Sequence, residues 1–118
     1  MTFHIDLGKK GEQLAEAFLV NNGYTILHRN WRYSHYEIDI IAIKDGLLHF
    51  VEVKCRSSNQ FGQPEESVSK KKIRDLLRAV DQYLFLHPGH TDFHLDILSI
   101  TTRESSEPEY FFIEDVYM

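Results

Sequence analysis

Apolar positions along this chain follow two rhythms, the 3.6-residue period of a helix and the strict alternation of a strand. Leu14, Ala15, Phe18 and Leu19 share one helical face, which predicts a helix over residues 7–22 with Asp6 as its N-cap and Asn22-Gly23 as its stop. Residues 24–31 are β-prone, although Arg29-Asn30-Trp31-Arg32 blurs the end of that strand. Residues 36–43 and 47–56 form the clearest strands, and Asp45-Gly46 between them is a tight-hairpin signal. The Ser, Asn, Gln, Gly and Pro of residues 57–65 predict a loop. Ile73, Leu76, Leu77, Val80 and Leu84 stripe a second helix over residues 69–86, ended by Pro88-Gly89. Phe93, Leu95 and Ile97 alternate in a strand over residues 93–100, and a short strand comes after it over 110–113. The order α-β-β-β-α-β-(β) contains no repeat and no dividing linker. It predicts one domain, α/β or α+β, built on a single mixed sheet.

Composition narrows the class. The chain has 118 residues, 42% apolar and 26% charged, enough for one packed core and too apolar for wholesale disorder. No apolar run reaches the ~20 residues that span a bilayer, and the first residues lack the basic and apolar parts of a signal peptide. Cys55 stands alone, so no internal disulfide forms and a reducing compartment is expected. The expectation is a soluble cytoplasmic protein without a membrane partner. Eighteen acids against thirteen bases give a net charge of −5, which at first argues against a nucleic-acid partner. Residues 103–118 hold five of those acids and one base, so the excess is mostly an acidic C-terminal segment on a near-neutral body.

The hairpin carries the chemistry. With Asp45 and Gly46 as the central turn residues, Lys44 pairs with Leu47, Asp39 stands opposite Glu52, and Glu37 opposite Lys54. Side chains directly opposite each other have Cβ atoms about 5 Å apart, and like charges so placed are destabilising. Glu37 and Lys54 form a simple ion pair in this register. Asp39 and Glu52 need either a bound proton or a hard divalent cation between them. Lys54 beside them orients or deprotonates a water, or neutralises charge building on a phosphate. Ile38, Ile40, Ala42, Val51, Val53 and Cys55 fall on the other, core-facing side, which makes Cys55 a buried thiol rather than a nucleophile.

Glu37-Ile38-Asp39-Ile40-Ile41-Ala42, together with Phe50-Val51-Glu52-Val53-Lys54-Cys55-Arg56, resembles the Asp…Glu-x-Lys core of the PD-(D/E)XK nuclease superfamily. With Gly8-Lys9-Lys10-Gly11-Glu12-Gln13-Leu14-Ala15, Arg29-Asn30-Trp31-Arg32, Gly62-Gln63-Pro64-Glu65-Glu66-Ser67-Val68 and Lys72, the chain more narrowly resembles the bacterial YraN family of predicted endonucleases. That family is similar in fold to Holliday junction resolvases. The resemblance implies a restriction-endonuclease-like α-β-β-β-α-β core and an Mg²⁺- or Mn²⁺-dependent endonuclease acting on DNA, including branched or otherwise structured DNA. It implies Asp39, Glu52 and the Val53 carbonyl as metal ligands, Glu12 as a helical acid pointed at the metal, Lys54 as the catalytic lysine and Glu37 as its support. It also allows a homodimer, with no dimer face distinguishable in the sequence. Ile38 stands where the superfamily signature has proline, Tyr36 where glycine is usual, and His94-Leu95-Asp96 where relatives tend to show Arg-Phe-Asp.

Lys70, Lys71, Lys72, Arg74 and Arg78 crowd the start of the second helix, where cations oppose the helix dipole. Phosphate binding accounts for them, together with Arg56 at the end of the hairpin. Arg29, Trp31 and Arg32 offer a stacking platform for nucleic acid, Trp31 reading equally well as core. His87, His90 and His94 are spaced like metal ligands, but Pro88-Gly89 breaks any helix through them, and they read as surface or loop histidines. Two functional classes stay open on these residues. One is the metal-dependent nuclease, the other a non-catalytic nucleic-acid-binding or protein-interaction module that retains the nuclease fold.

Overall fold

A computed structural model describes residues 3–57, 69–90, 92–103 and 106–116, with the side chains of residues 3–9 outside the description. The elements are α1 (Phe3–Asn21), β1 (Thr25–Tyr33), β2 (Tyr36–Lys44), β3 (Leu47–Ser57), α2 (Lys70–Leu86), β4 (Phe93–Thr102) and β5 (Glu109–Ile113). The five strands form one sheet in the order β1-β2-β3-β4-β5. All neighbours are antiparallel except β3 and β4, which run parallel because α2 carries the chain back across the sheet. The class is α+β, as the periodicities predict.

Local chemistry sets the boundaries. Asp6, expected as an N-cap, lies inside α1, which begins several residues earlier at Phe3. α1 ends on Gly23 at φ 91°, where Gly23 N–H reaches Val20 O and Tyr24 N–H reaches Leu19 O. That pair of bonds is a Schellman ending, and it needs the left-handed backbone glycine supplies. Asp45 and Gly46, at φ 52° and 79°, make the type I′ turn that the sequence signals. Ser69 caps α2 by accepting the Lys72 N–H at 3.1 Å. The predicted loop lies largely in residues 58–68, outside the described residues, as does Gly62-Gln63-Pro64-Glu65-Glu66-Ser67-Val68.

The sheet is covered on both faces. Leu76, Ala79, Val80 and Tyr83 of α2, spaced by three and four, pack on Ile38, Ile41, Leu48, Phe50 and Leu95. Ala15 and Leu19 of α1 pack with Tyr24 on Ile40, Ala42, Val51, Leu98 and Ile100. Burial on both sides is why the central strands read as nearly unbroken apolar runs. Trp31 packs edge-on against Tyr83 at 5.4 Å and flanks the α2 core, partly buried there.

One expectation about the faces fails. Strict alternation puts Ile38 beside Ile40, Ala42, Val51, Val53 and Cys55, yet Ile38 joins the α2 core while the other five face α1. The alternation breaks at Asp39. On the neighbouring strand Asn30 takes the left-handed conformation, φ 51°, and the register passes from Arg29↔Ile40 directly to Trp31↔Ile38.

Candidate metal and phosphate site

Regular pairing of β2 with β3 runs from Lys44↔Leu47 to Ile40↔Val51, the register that the turn dictates. Beyond it, Asp39 turns its carboxylate toward β3, where Oδ2 accepts the Val53 N–H at 2.8 Å. Glu52, only 5% exposed, lies beside it, and the two carboxyl groups share a hydrogen bond. The two acids do meet, but in a break between strands rather than as a ladder pair.

The electrostatics result from that crowding. Burial pushes the Asp39 carboxyl up to about 7, reinforced by the Glu52 charge and their shared hydrogen bond. The Val53 N–H and the Lys72 ammonium pull the other way without prevailing. Asp39 therefore keeps a proton well above the ordinary carboxylate range. Two carboxyls that must hold a proton to coexist form a donor set suited to a hard divalent cation.

Two lysines face Glu52. Lys72 Nζ stands 3.4 Å from Oε2, and Lys54 Nζ 4.0 Å from the same atom. Sequence reasoning puts Lys72 among phosphate contacts and misses this partner, because α2 is joined to β3 through residues 58–68 and no local pattern fixes its docking. Glu37, expected against Lys54, instead pairs with Arg32 of β1 at 3.2 Å. Once β2 leaves the ladder at Ile40, nothing holds Glu37 opposite Lys54. Arg32 remains largely exposed with that partner, and Arg29, also exposed, pairs with Glu16 at 2.7 Å.

α1 closes the other side. A Cβ on Gly11 would sit 3.1 Å from both Cβ and Sγ of Cys55, so only glycine lets the helix come this near β3. Glu12 thereby reaches an open cleft of about 200 Å³ that it lines with Gly11, Asp39, Val53 and Cys55. Burial raises the Cys55 thiol pKa, which fits an inert packing role. On α2, Lys70, Arg74 and Arg78 are exposed, while Lys71 pairs with Asp75 at 2.9 Å. Arg56 lies one residue before the end of β3, its carbonyl accepting the Thr102 hydroxyl at 3.4 Å.

His90 falls in the loop after α2, as expected, whereas His87 and His94 are engaged with neighbouring side chains. His87 stacks on Tyr83 with ring centroids 4.0 Å apart, whereas His94 lies in β4 with its Nδ1 fully buried. His94 meets His49 and Asp96 instead of His87 and His90, because parallel pairing sets His94 beside His49. Only the non-local register of β3 and β4 reveals this group.

The family model described as "Uncharacterised protein family UPF0102" matches residues 11–100. A UPF0102 protein of Bacteroides thetaiotaomicron is 46% identical over 100 residues, covering 85% of this chain and 83% of the relative. One from Flavobacterium psychrophilum is 42% identical over 118 residues, covering 99% of this chain and 98% of the relative. Among solved structures, the Holliday junction resolvase Hjc of Archaeoglobus fulgidus matches with a TM-score of 0.49 and 12% identity, over 87% of this chain and 74% of that one.

Proposed function

The chain belongs to the UPF0102 family, and for it we propose an Mg²⁺- or Mn²⁺-dependent endonuclease that hydrolyses phosphodiester bonds in DNA, including branched DNA. The observation that carries this reading is the Asp39–Glu52 pair, two carboxyls held together by the fold although Asp39 must keep a proton for both to coexist. A structural acidic pair gains nothing from such an arrangement. A cation site gains its ligands.

Asp39 and Glu52 would hold the ion, with the Val53 carbonyl beside them and Glu12 across the cleft. The bound ion supplies the charge that lowers the pKa of an attacking water and neutralises the crowded phosphate. With an ion held there Asp39 would be ionised, its proton released to solvent, while the Val53 N–H keeps its orientation. Lys54 positions the attacking water against the phosphorus. Lys72, beside Glu52, would offer its ammonium to a phosphate oxygen once the ion balances that carboxylate. Lys70 and Arg56 continue the cationic track along the DNA backbone, with Arg32 at its margin.

Incubation of the protein with linear, nicked and four-way DNA in Mg²⁺ or Mn²⁺ tests this, with Glu52→Ala beside the wild type and circular dichroism as the folding check. Cleavage by the wild type alone is the expected result. Equal cleavage by folded Glu52→Ala would refute the assignment. Salt-sensitive DNA binding without cleavage in either protein would replace it with a non-catalytic binding module.

A further inference from the structure

A second constellation lies on the same two central strands, toward the start of β3 and β4 and on the face covered by α1. Register sets His49 beside His94, and Asp96 lies two residues on along the same face. His49 Nδ1 is 2.7 Å from Asp96 Oδ2, and the two imidazole rings cross at 82° with centroids 5.0 Å apart. One ligand atom from each of His49, His94 and Asp96 lies within 4.8 Å of the others. Asp115 closes the group. Its N–H donates to Asp96 Oδ1 at 2.8 Å, and its carboxylate stands 3.8 Å from His94 Nε2.

Two features exceed what packing requires. His94 Nδ1 is buried and has no hydrogen-bond partner among the described residues, a condition that costs a polar atom its lost hydration. Asp96 is fully buried, with one carboxylate oxygen fixed by a backbone N–H and the other presented to the imidazoles. A carboxylate oriented in that way is how proteins hold a metal ligand from behind. Asp115, at φ 54° and half exposed, leaves the group open to solvent on one side.

We infer that His49, His94 and Asp96, with Asp115 at the mouth, form a zinc-binding site separate from the hairpin acids. Two imidazoles and one carboxylate make a nitrogen–oxygen set of the kind Zn²⁺ takes with a fourth position open, Asp115 facing the far ring nitrogen of His94, whereas Mg²⁺ prefers an all-oxygen shell. The ion displaces the proton shared by His49 and Asp96, which leaves to solvent. The side chains draw in to bonds of about 2.0–2.2 Å. Nothing in this site depends on the nuclease reading, since its residues lie on the opposite face from Glu52 and Lys54.

The test uses the full chain freed of metal, titrated with Zn²⁺ by calorimetry and with Co²⁺ by visible absorption. The intense bands of one tetrahedral Co²⁺ per chain are expected, with one Zn²⁺ per chain left in the Asp39→Ala protein, where the hairpin acids no longer compete. His94→Ala should weaken Zn²⁺ roughly tenfold or more and abolish the bands. Asp115→Ala, at a half-exposed position after the last strand, should lower affinity in the same direction and guards against a folding defect in the first variant. Asp39→Ala should leave both signals intact. Absence of micromolar binding, unchanged binding in folded His94→Ala, or bands lost in Asp39→Ala would each overturn the site.

Discussion

Lys72 Nζ lies 3.4 Å from Oε2 of Glu52, nearer than the lysine two residues along the same strand. A helix side chain therefore supplies the closest compensation for a carboxylate that is almost wholly buried. Removing it leaves that charge short of a partner. Lys72→Met should destabilise the metal-free protein by about 1 kcal/mol, the half-exposed lysine limiting the effect. Saturating Mn²⁺ should erase most of the difference. Chemical denaturation with and without Mn²⁺ measures both, and an equal deficit in the two conditions would separate Lys72 from the ion site.

The raised pKa of Asp39 has a definite sign in stability. Its folded value, about 7, exceeds the ordinary 3.8, so the folded state holds a proton that the unfolded chain releases. The stabilising contribution is complete below the ordinary value and is lost as pH rises through about 7. The melting temperature of the metal-free protein should fall between about pH 4 and about pH 7, and Asp39→Asn should flatten that fall. Asparagine keeps an oxygen for the Val53 N–H but carries no charge. The same variant should show no Mn²⁺-induced stabilisation, and a pH profile identical to the wild type would contradict the account.

Metal affinity inherits the opposite slope. The ion competes with the Asp39 proton, so apparent Mn²⁺ affinity should climb about tenfold per pH unit below about 7 and level off above it. Calorimetry at several pH values in buffers of different ionisation enthalpy would also count the released proton.

Gly11 sets the distance between α1 and β3. Gly11→Val should cost roughly 2 kcal/mol, because the new side chain meets Cβ and Sγ of the Cys55 side chain where α1 packs on β3. Cys55→Ala should recover part of the loss by removing the sulfur. A double-mutant cycle on thermal unfolding would reveal the coupling, and strict additivity would place the strain elsewhere.

Legibility in the sequence divides along the line between local and non-local chemistry. Asp45-Gly46 determines its own turn and hence the pairing from Lys44↔Leu47 to Ile40↔Val51. The stripe Leu76, Val80 and the glycine after Asn22 likewise act within one or two turns. Asp39 and Glu52 could thus be named from the sequence, and they meet. Farther from the turn than Ile40, its control of the pairing ends. There Asn30 distorts the neighbouring strand, Ile38 changes face, and Glu37 finds Arg32 in place of Lys54. Lys72 against Glu52 and His94 against His49 both depend on how α2 returns the chain, which no window of adjacent residues encodes.

Ser69 gives the Lys72 contact a further meaning. Its hydroxyl accepts the backbone N–H of the same Lys72 whose ammonium faces Glu52. If the two contacts are coupled through Lys72, whatever favours order in the first turn of α2 is felt at the hairpin charge by the same amount. A cation that frees Lys72 should let this turn exchange its amide protons faster, while a phosphate that recaptures the lysine should slow them again. The helix start becomes a reporter of occupancy, readable without any cleavage taking place.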